Sequence, residues 1–251
     1  IFLQKNAEKH SKETFNKKTG KKIAACVPMH TFGFPCRIKE ITDICADWNI
    51  VLIEDAAESL GSYVGKKHTG TFSSIASFSF NGNKILTTGG GGMLITDNIT
   101  LAKKAKHITS TAKIPHAYEY IHDEIGYNYR MPNLNAALGC AQMEYLNEFL
   151  LKKKKLANHW QKFFKKRKIK FITPIKNTEA NYWLNTLVLA TRKEREKFLK
   201  YTNKNGVMTR PVWKLMTELN MFQDCQNDGL KNSLWLQDRV VNIPSSVPNE
   251  L

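Results

Sequence analysis

Apolar residues alternate between two kinds of spacing along the first half of the chain. Ile23 to Val27 and Ile50 to Ile53 are short, uninterrupted apolar runs, and each reads as a strand. Between them, Ile38, Ile41, Ile44, Cys45 and Trp48 recur at helical intervals from Arg37 to Asn49, which predicts a helix with one buried face. Strand, helix, strand with continuous apolar strands implies a parallel sheet covered on both faces. Ile75 to Phe80 and Gly92 to Thr96 supply two more strands, and 99–110 reads as a helix. Residues 5–22 are polar and read as a loop or hairpin tip. Residues 112–132 carry aromatics and histidines without a period, a long connection of the kind that serves function or a partner surface. A helix follows from Asn133 to Leu150, with Leu134, Ala137, Leu138, Ala141 and Leu146 at its apolar positions.

From Leu151 the pattern changes. A lysine-rich helix to about Lys168 precedes strands at 170–172 and 182–190. A helix at 192–205 stopped by Gly206, an extended stretch at 207–212, a last helix at 227–239 and a proline-punctuated tail complete the chain. The expected division is a large α/β domain over 1–150 and a small α+β domain over 151–251.

Composition narrows the class without identifying it. Apolar residues make up 42% of the 251 positions, and no apolar run reaches the length of a membrane helix. No signal peptide is visible, and the chain does not begin with Met, so it reads as a fragment or a processed form. The five cysteines lack C-x-x-C spacing, which argues against a zinc site or a disulfide framework and for buried thiols in a reducing cytosol. The net charge of +16 suits anionic partners, but the lysines do not gather into one reading element and read as solvated helix faces rather than a nucleic-acid stripe.

The chemistry gathers at strand ends. Asp55 closes the run Ile-Val-Leu-Ile-Glu-Asp, where ligands of open parallel sheets sit. Lys84 follows the strand Ile75 to Phe80, bracketed by Gly89 to Gly92. These two could form a buried salt bridge or share a crevice. Ser79, five residues before Lys84, offers a hydroxyl for a phosphate. An amine, a carboxylate and a phosphate pocket are the parts that pyridoxal phosphate requires. The glycine run is not G-x-G-x-x-G and reads as a positive-φ turn with close backbone packing. His30 and His68 read as structural and Trp213 as a core residue. Arg130 and Arg210 are open between substrate phosphates and salt bridges.

Four segments, 28–33 (PMHTFG), 53–61 (IEDAAESLG), 78–84 (FSFNGNK) and 126–131 (GYNYRM), together resemble the DegT/DnrJ/StrS aminotransferases, which aminate keto groups on nucleotide-linked sugars. The wording looks most like the branch that makes UDP-4-amino-4,6-dideoxy-N-acetylglucosamine in legionaminic-acid type pathways. The resemblance implies a fold-type I transferase, incomplete at its N-terminus, with pyridoxal 5'-phosphate as cofactor. It implies Lys84 as the Schiff-base lysine, Asp55 as partner of the pyridine nitrogen, Glu58 packed on the cofactor ring and Ser79 as phosphate ligand. Asn128 would reach the phosphate of the neighbouring subunit in a homodimer. It further implies glutamate as amino donor, C4 of a nucleotide-linked keto-sugar as acceptor, a cytoplasmic location, and no metal, membrane or nucleic-acid partner. The family's members carry an additional upstream segment that binds cofactor, so an inactive truncated fragment is one alternative. A dehydratase-like relative is the other, against which Lys84 argues, since such relatives hold histidine there.

Overall fold

The computed structural model describes residues 1–247, and Pro248 with the remaining tail lies outside the described residues. The chain forms two compact units. The first comprises Ile1, residues 3–148 and the returning stretch 175–181; the second comprises Phe2, residues 149–174 and the residues from Tyr182 on.

The first unit is built on a four-stranded sheet in the order Ala25–Cys26, Val51–Asp55, Ile75–Ser79, Gly92–Ile95. The first three strands are parallel and the fourth is antiparallel to the third. The helix Ile38–Asp47 connects the first pair and buries Ile38 and Cys45 against Ile50 and Leu52. Asn98 caps the helix Ile99–Thr109, its side chain accepting from the N–H groups of Thr100 and Leu101.

Alternation along the strands separates the two sheet faces. Leu52, Glu54, Ala76 and Phe78 point into the core. Ile53, Asp55, Ile75, Ser77 and Ser79 are half-buried on the opposite face, and Val51 is exposed there. The second face is therefore less closely covered than the first. The expected buried strand at 23–27 shrinks to Ala25–Cys26, with Val27 exposed.

Residues 5–22 form a hairpin, Ala7–His10 with Glu13–Asn16, one of the two readings that the sequence offered. Several other local expectations are corrected. The patternless 112–132 stretch contains a small hairpin, Lys113–Ile114 with Ile121–His122. The helix after it ends at Glu144, and a second helix, Leu146–Lys166, begins beyond Tyr145. Its apolar stripe is not buried, since Leu134 is 86% exposed and Leu138 is exposed as well. Cys140 and Cys225 are exposed, so the thiols are not uniformly buried.

The second unit has an antiparallel sheet in the order Lys170–Phe171, Asn185–Val188, Val240–Ile243, Arg210–Pro211. Leu187, Val241 and Ile243 pack with Phe164 of the long helix in one apolar cluster. Lys153 on that helix is buried. Its ammonium donates to the carbonyls of Trp183 and Ser245. Trp213 is not a core residue: it is 53% exposed and stacks on the buried Trp183 at 6.2 Å. Among the described residues, no helix is long and apolar enough to cross a membrane.

Candidate active site

Lys84 sits in a loop whose base is closed by backbone hydrogen bonds. The Phe80 N–H donates to Gly91 O, and the Thr88 N–H to Phe80 O. The buried Ile85 and Leu86 anchor the loop directly after the lysine, with Leu86 packing against Ala56, Phe78 and Phe80. The glycines do what the sequence suggests. Gly89 and Gly91 have φ of 80° and 119°, and a Cβ on Gly92 would lie 2.4 Å from the Phe78 carbonyl oxygen. The lysine is thereby fixed beside the strand end rather than left on a swinging loop.

The side chain of Lys84 is 13% exposed, and its Nζ lies 3.7 Å from Oε1 of Glu58. Burial pulls the amine below the usual lysine range, against the opposing pull of Glu58 and Asp55. Glu58 is displaced the other way: burial raises it, against the Phe32 N–H and Lys84. The Phe32 N–H donates to Glu58 Oε2 at 2.6 Å. Phe32 adopts φ 60° to reach it, a left-handed conformation unusual for a bulky side chain. The amide of Asn181 donates to the carbonyls of Glu58 and Leu60.

Asp55 ends the strand Val51–Asp55 and pairs across the sheet with Ser77, two residues before Ser79. Its Oδ1 accepts the Ala57 N–H at 3.1 Å. Asp55, Ser77 and Ser79 thus share the half-buried sheet face, and Ser79 Oγ accepts the Asn81 N–H at 3.3 Å. Behind them lies a residue to which the sequence reading assigned nothing. Glu54 is fully buried, and its carboxylate faces His30 Nε2 at 3.0 Å and accepts the N–H groups of Gly70, Phe72 and Ser73 at 2.7, 2.7 and 2.9 Å. The signal was available: Glu54 shares the inward parity of Leu52.

Of the expected site residues, the structure brings Lys84, Glu58 and Asp55 within electrostatic reach of one another, with Ser79 on the sheet face of Asp55. Asn128 bridges Ser110 and lines a groove with Ser77, Gly90, Leu94, Lys106 and Arg130. His30 is structural, its Nδ1 accepting the Cys36 N–H while Nε2 faces Glu54. His68 is structural too, with Nε2 accepting the Gly61 N–H. Arg210 donates to Asn203 Oδ1 and Thr209 O.

Comparison with known proteins places this geometry in context. Residues 7–249 match the model of the DegT/DnrJ/EryC1/StrS aminotransferase family. The chain is 33% identical over 256 aligned residues to GDP-perosamine synthase of Escherichia coli O157:H7, covering 100% of this chain and 69% of that protein. It is 31% identical over 150 residues to UDP-4-amino-4,6-dideoxy-N-acetyl-beta-L-altrosamine transaminase of Campylobacter jejuni, covering 59% of this chain and 40% of that one. Among solved structures, Helicobacter pylori PseC, an aminotransferase involved in the biosynthesis of pseudoaminic acid, superposes with a TM-score of 0.85 at 21% identity, over 91% of this chain and 63% of its own. That likeness shows the fold. With a family match over nearly its whole length and the GDP-perosamine synthase relative at 33% identity, the chain belongs to the DegT/DnrJ/EryC1/StrS aminotransferase family.

Proposed function

We propose that this chain carries the lysine-bearing part of an aminotransferase that moves an amino group from glutamate to a keto group, at C4, of a nucleotide-linked deoxysugar. The observation that carries the reading is the buried Lys84 amine, 3.7 Å from Glu58 beside a strand end and lowered by burial toward its neutral form. Only the neutral amine is a nucleophile, so burial prepares it for a carbonyl.

The donor set fits pyridoxal phosphate. When bound, that group supplies an aldehyde and an electron-withdrawing pyridinium ring. Lys84 would hold it covalently, Asp55 would keep the ring nitrogen protonated, Ser79 would bind phosphate, and Glu58 would pack against the ring. Asn128 would serve the phosphate of a second copy in a homodimer. Lys84 would also move the proton at the substrate carbon that bears the new amine. Support for the sugar class comes from the two curated relatives, one named for a GDP-linked and the other for a UDP-linked amino sugar, the latter aminated at position 4. A cytoplasmic location is part of the same reading.

Borohydride reduction of the chain mixed with pyridoxal 5'-phosphate tests the anchor. The tag is expected on the Lys84 peptide, and a tag spread over surface lysines refutes the assignment. Product mass spectrometry with glutamate and a panel of UDP- and GDP-linked keto-sugars tests the reaction. Ketone loss without amine gain would point to a dehydratase instead.

A further inference from the structure

Glu58 is held more firmly than packing against a ligand requires. One carboxylate oxygen takes the Phe32 N–H at 2.6 Å, and the residue's own carbonyl takes the Asn181 amide at 2.8 Å. Phe32 presents its N–H from a left-handed conformation that a bulky side chain adopts only at a cost. The next residue, Gly33, has φ 86° and leaves no room for a Cβ, which would lie 1.8 Å from Asn181 Oδ1. Three segments distant in sequence therefore fix the other oxygen, Oε1, toward Lys84 Nζ at 3.7 Å, with both side chains at least 87% buried.

From this geometry we infer that Glu58 sets the charge of Lys84, holding its ammonium in place and accepting its proton when the neutral amine is needed. The inference rests on Lys84 being the amine that meets a carbonyl. In the step, an N–H bond on Nζ breaks and an O–H bond forms on Oε1. A buried ion pair becomes a buried neutral amine and neutral carboxylic acid, with no change in net charge. Closing 3.7 Å to hydrogen-bond distance takes a movement of about 0.5 Å or a little more. The charged groups that act on Lys84 include Glu58 and Asp55, and those that act on Glu58 include Lys84 and Asp55. Burial pulls the amine down and the carboxyl up, so both sides of the pair lean toward the neutral state.

The test is trace acetylation with acetic anhydride from pH 5 to 10, read peptide by peptide by mass spectrometry. The unsubstituted chain is compared with Glu58→Gln, and exposed Lys103 serves as internal standard. Glutamine keeps an oxygen for the Phe32 N–H but removes the charge that favours ammonium. Lys84 labelling at pH 7 is therefore expected to rise roughly tenfold in Glu58→Gln, with its pH profile displaced to lower pH. Unchanged labelling in the variant overturns the inference. Should the variant not fold, Glu58→Asp, which withdraws the carboxylate by one methylene, decides in its place: a Lys84 profile displaced to lower pH supports the inference, and an unchanged profile overturns it. Failure of the pyridoxal phosphate tag to land on Lys84 would instead strike the proposed function, so the two failures are distinguishable.

Discussion

Replacing Glu54 with glutamine changes one atom in the carboxylate that ties the candidate site to its sheet. Oε1 accepts from Gly70 and faces His30 Nε2, while Oε2 accepts from Phe72 and Ser73. Because His30 Nδ1 accepts the Cys36 N–H, Nε2 carries the imidazole proton and is a donor too. Four donors therefore converge on two oxygens. A glutamine amide turned either way sets its NH2 against two of them, leaving two buried donors without an acceptor. Hydrogen bonds to a charged group contribute about 1.5–3 kcal/mol each, so the gross loss is roughly 3–6 kcal/mol. Burying a neutral amide costs less than burying a carboxylate, which places the expected net loss near the lower end, about 3 kcal/mol. Equilibrium urea unfolding at pH 7 measures it, with amide hydrogen exchange of residues 70–73 showing where protection is lost. Stability within about 1 kcal/mol of the unsubstituted chain, with unchanged exchange, would refute the reasoning. The pH dependence adds a check. Burial pushes the Glu54 carboxyl up, but His30, the N–H groups of Gly70 and Phe72 and the Ser73 side chain outweigh it and hold it below the usual range. A folded-state value below the unfolded one contributes stability above about pH 4.3 that is lost as pH falls through the folded value. The gap between Glu54→Gln and the unsubstituted chain should therefore narrow on acidification.

Lys153 gives a slope of the same sign in a more alkaline range: burial lowers its amine to about 8, so the folded unit binds fewer protons than the unfolded chain between there and about pH 10.4. Unfolding free energy should rise by roughly 3 kcal/mol over that interval, and Lys153→Met should abolish the rise in parallel urea titrations. Gly33→Ala should destabilise the first unit by about 3 kcal/mol, because the new Cβ meets Asn181 and the backbone is left-handed; thermal melting measures it. Lys84→Ala should lose all specific borohydride-fixed pyridoxal phosphate, read by mass spectrometry of the reduced peptides.

The sequence by itself determined the alternation of strands and helices, the strand-end positions of Asp55 and Lys84, and the family. These are local or motif properties: apolar period fixes which residues point inward, and short motifs keep their spacing along the chain. Glu58 was named from the motif, but its orientation was not legible, because it depends on Phe32 and on Asn181, which is 123 residues away along the chain. Glu54 could be placed inward by parity, yet its three amide donors come from a loop sixteen to nineteen residues later whose path no pattern records. The stripe of Leu134 and Leu138 shows the limit from the other side. Its helical period was readable, but period states only that a face is apolar, and the fold left that face uncovered. Tertiary structure decided which charges meet, because burial and long-range backbone hydrogen bonds, not spacing, set the distance between Lys84 and Glu58 and the balance of their protons.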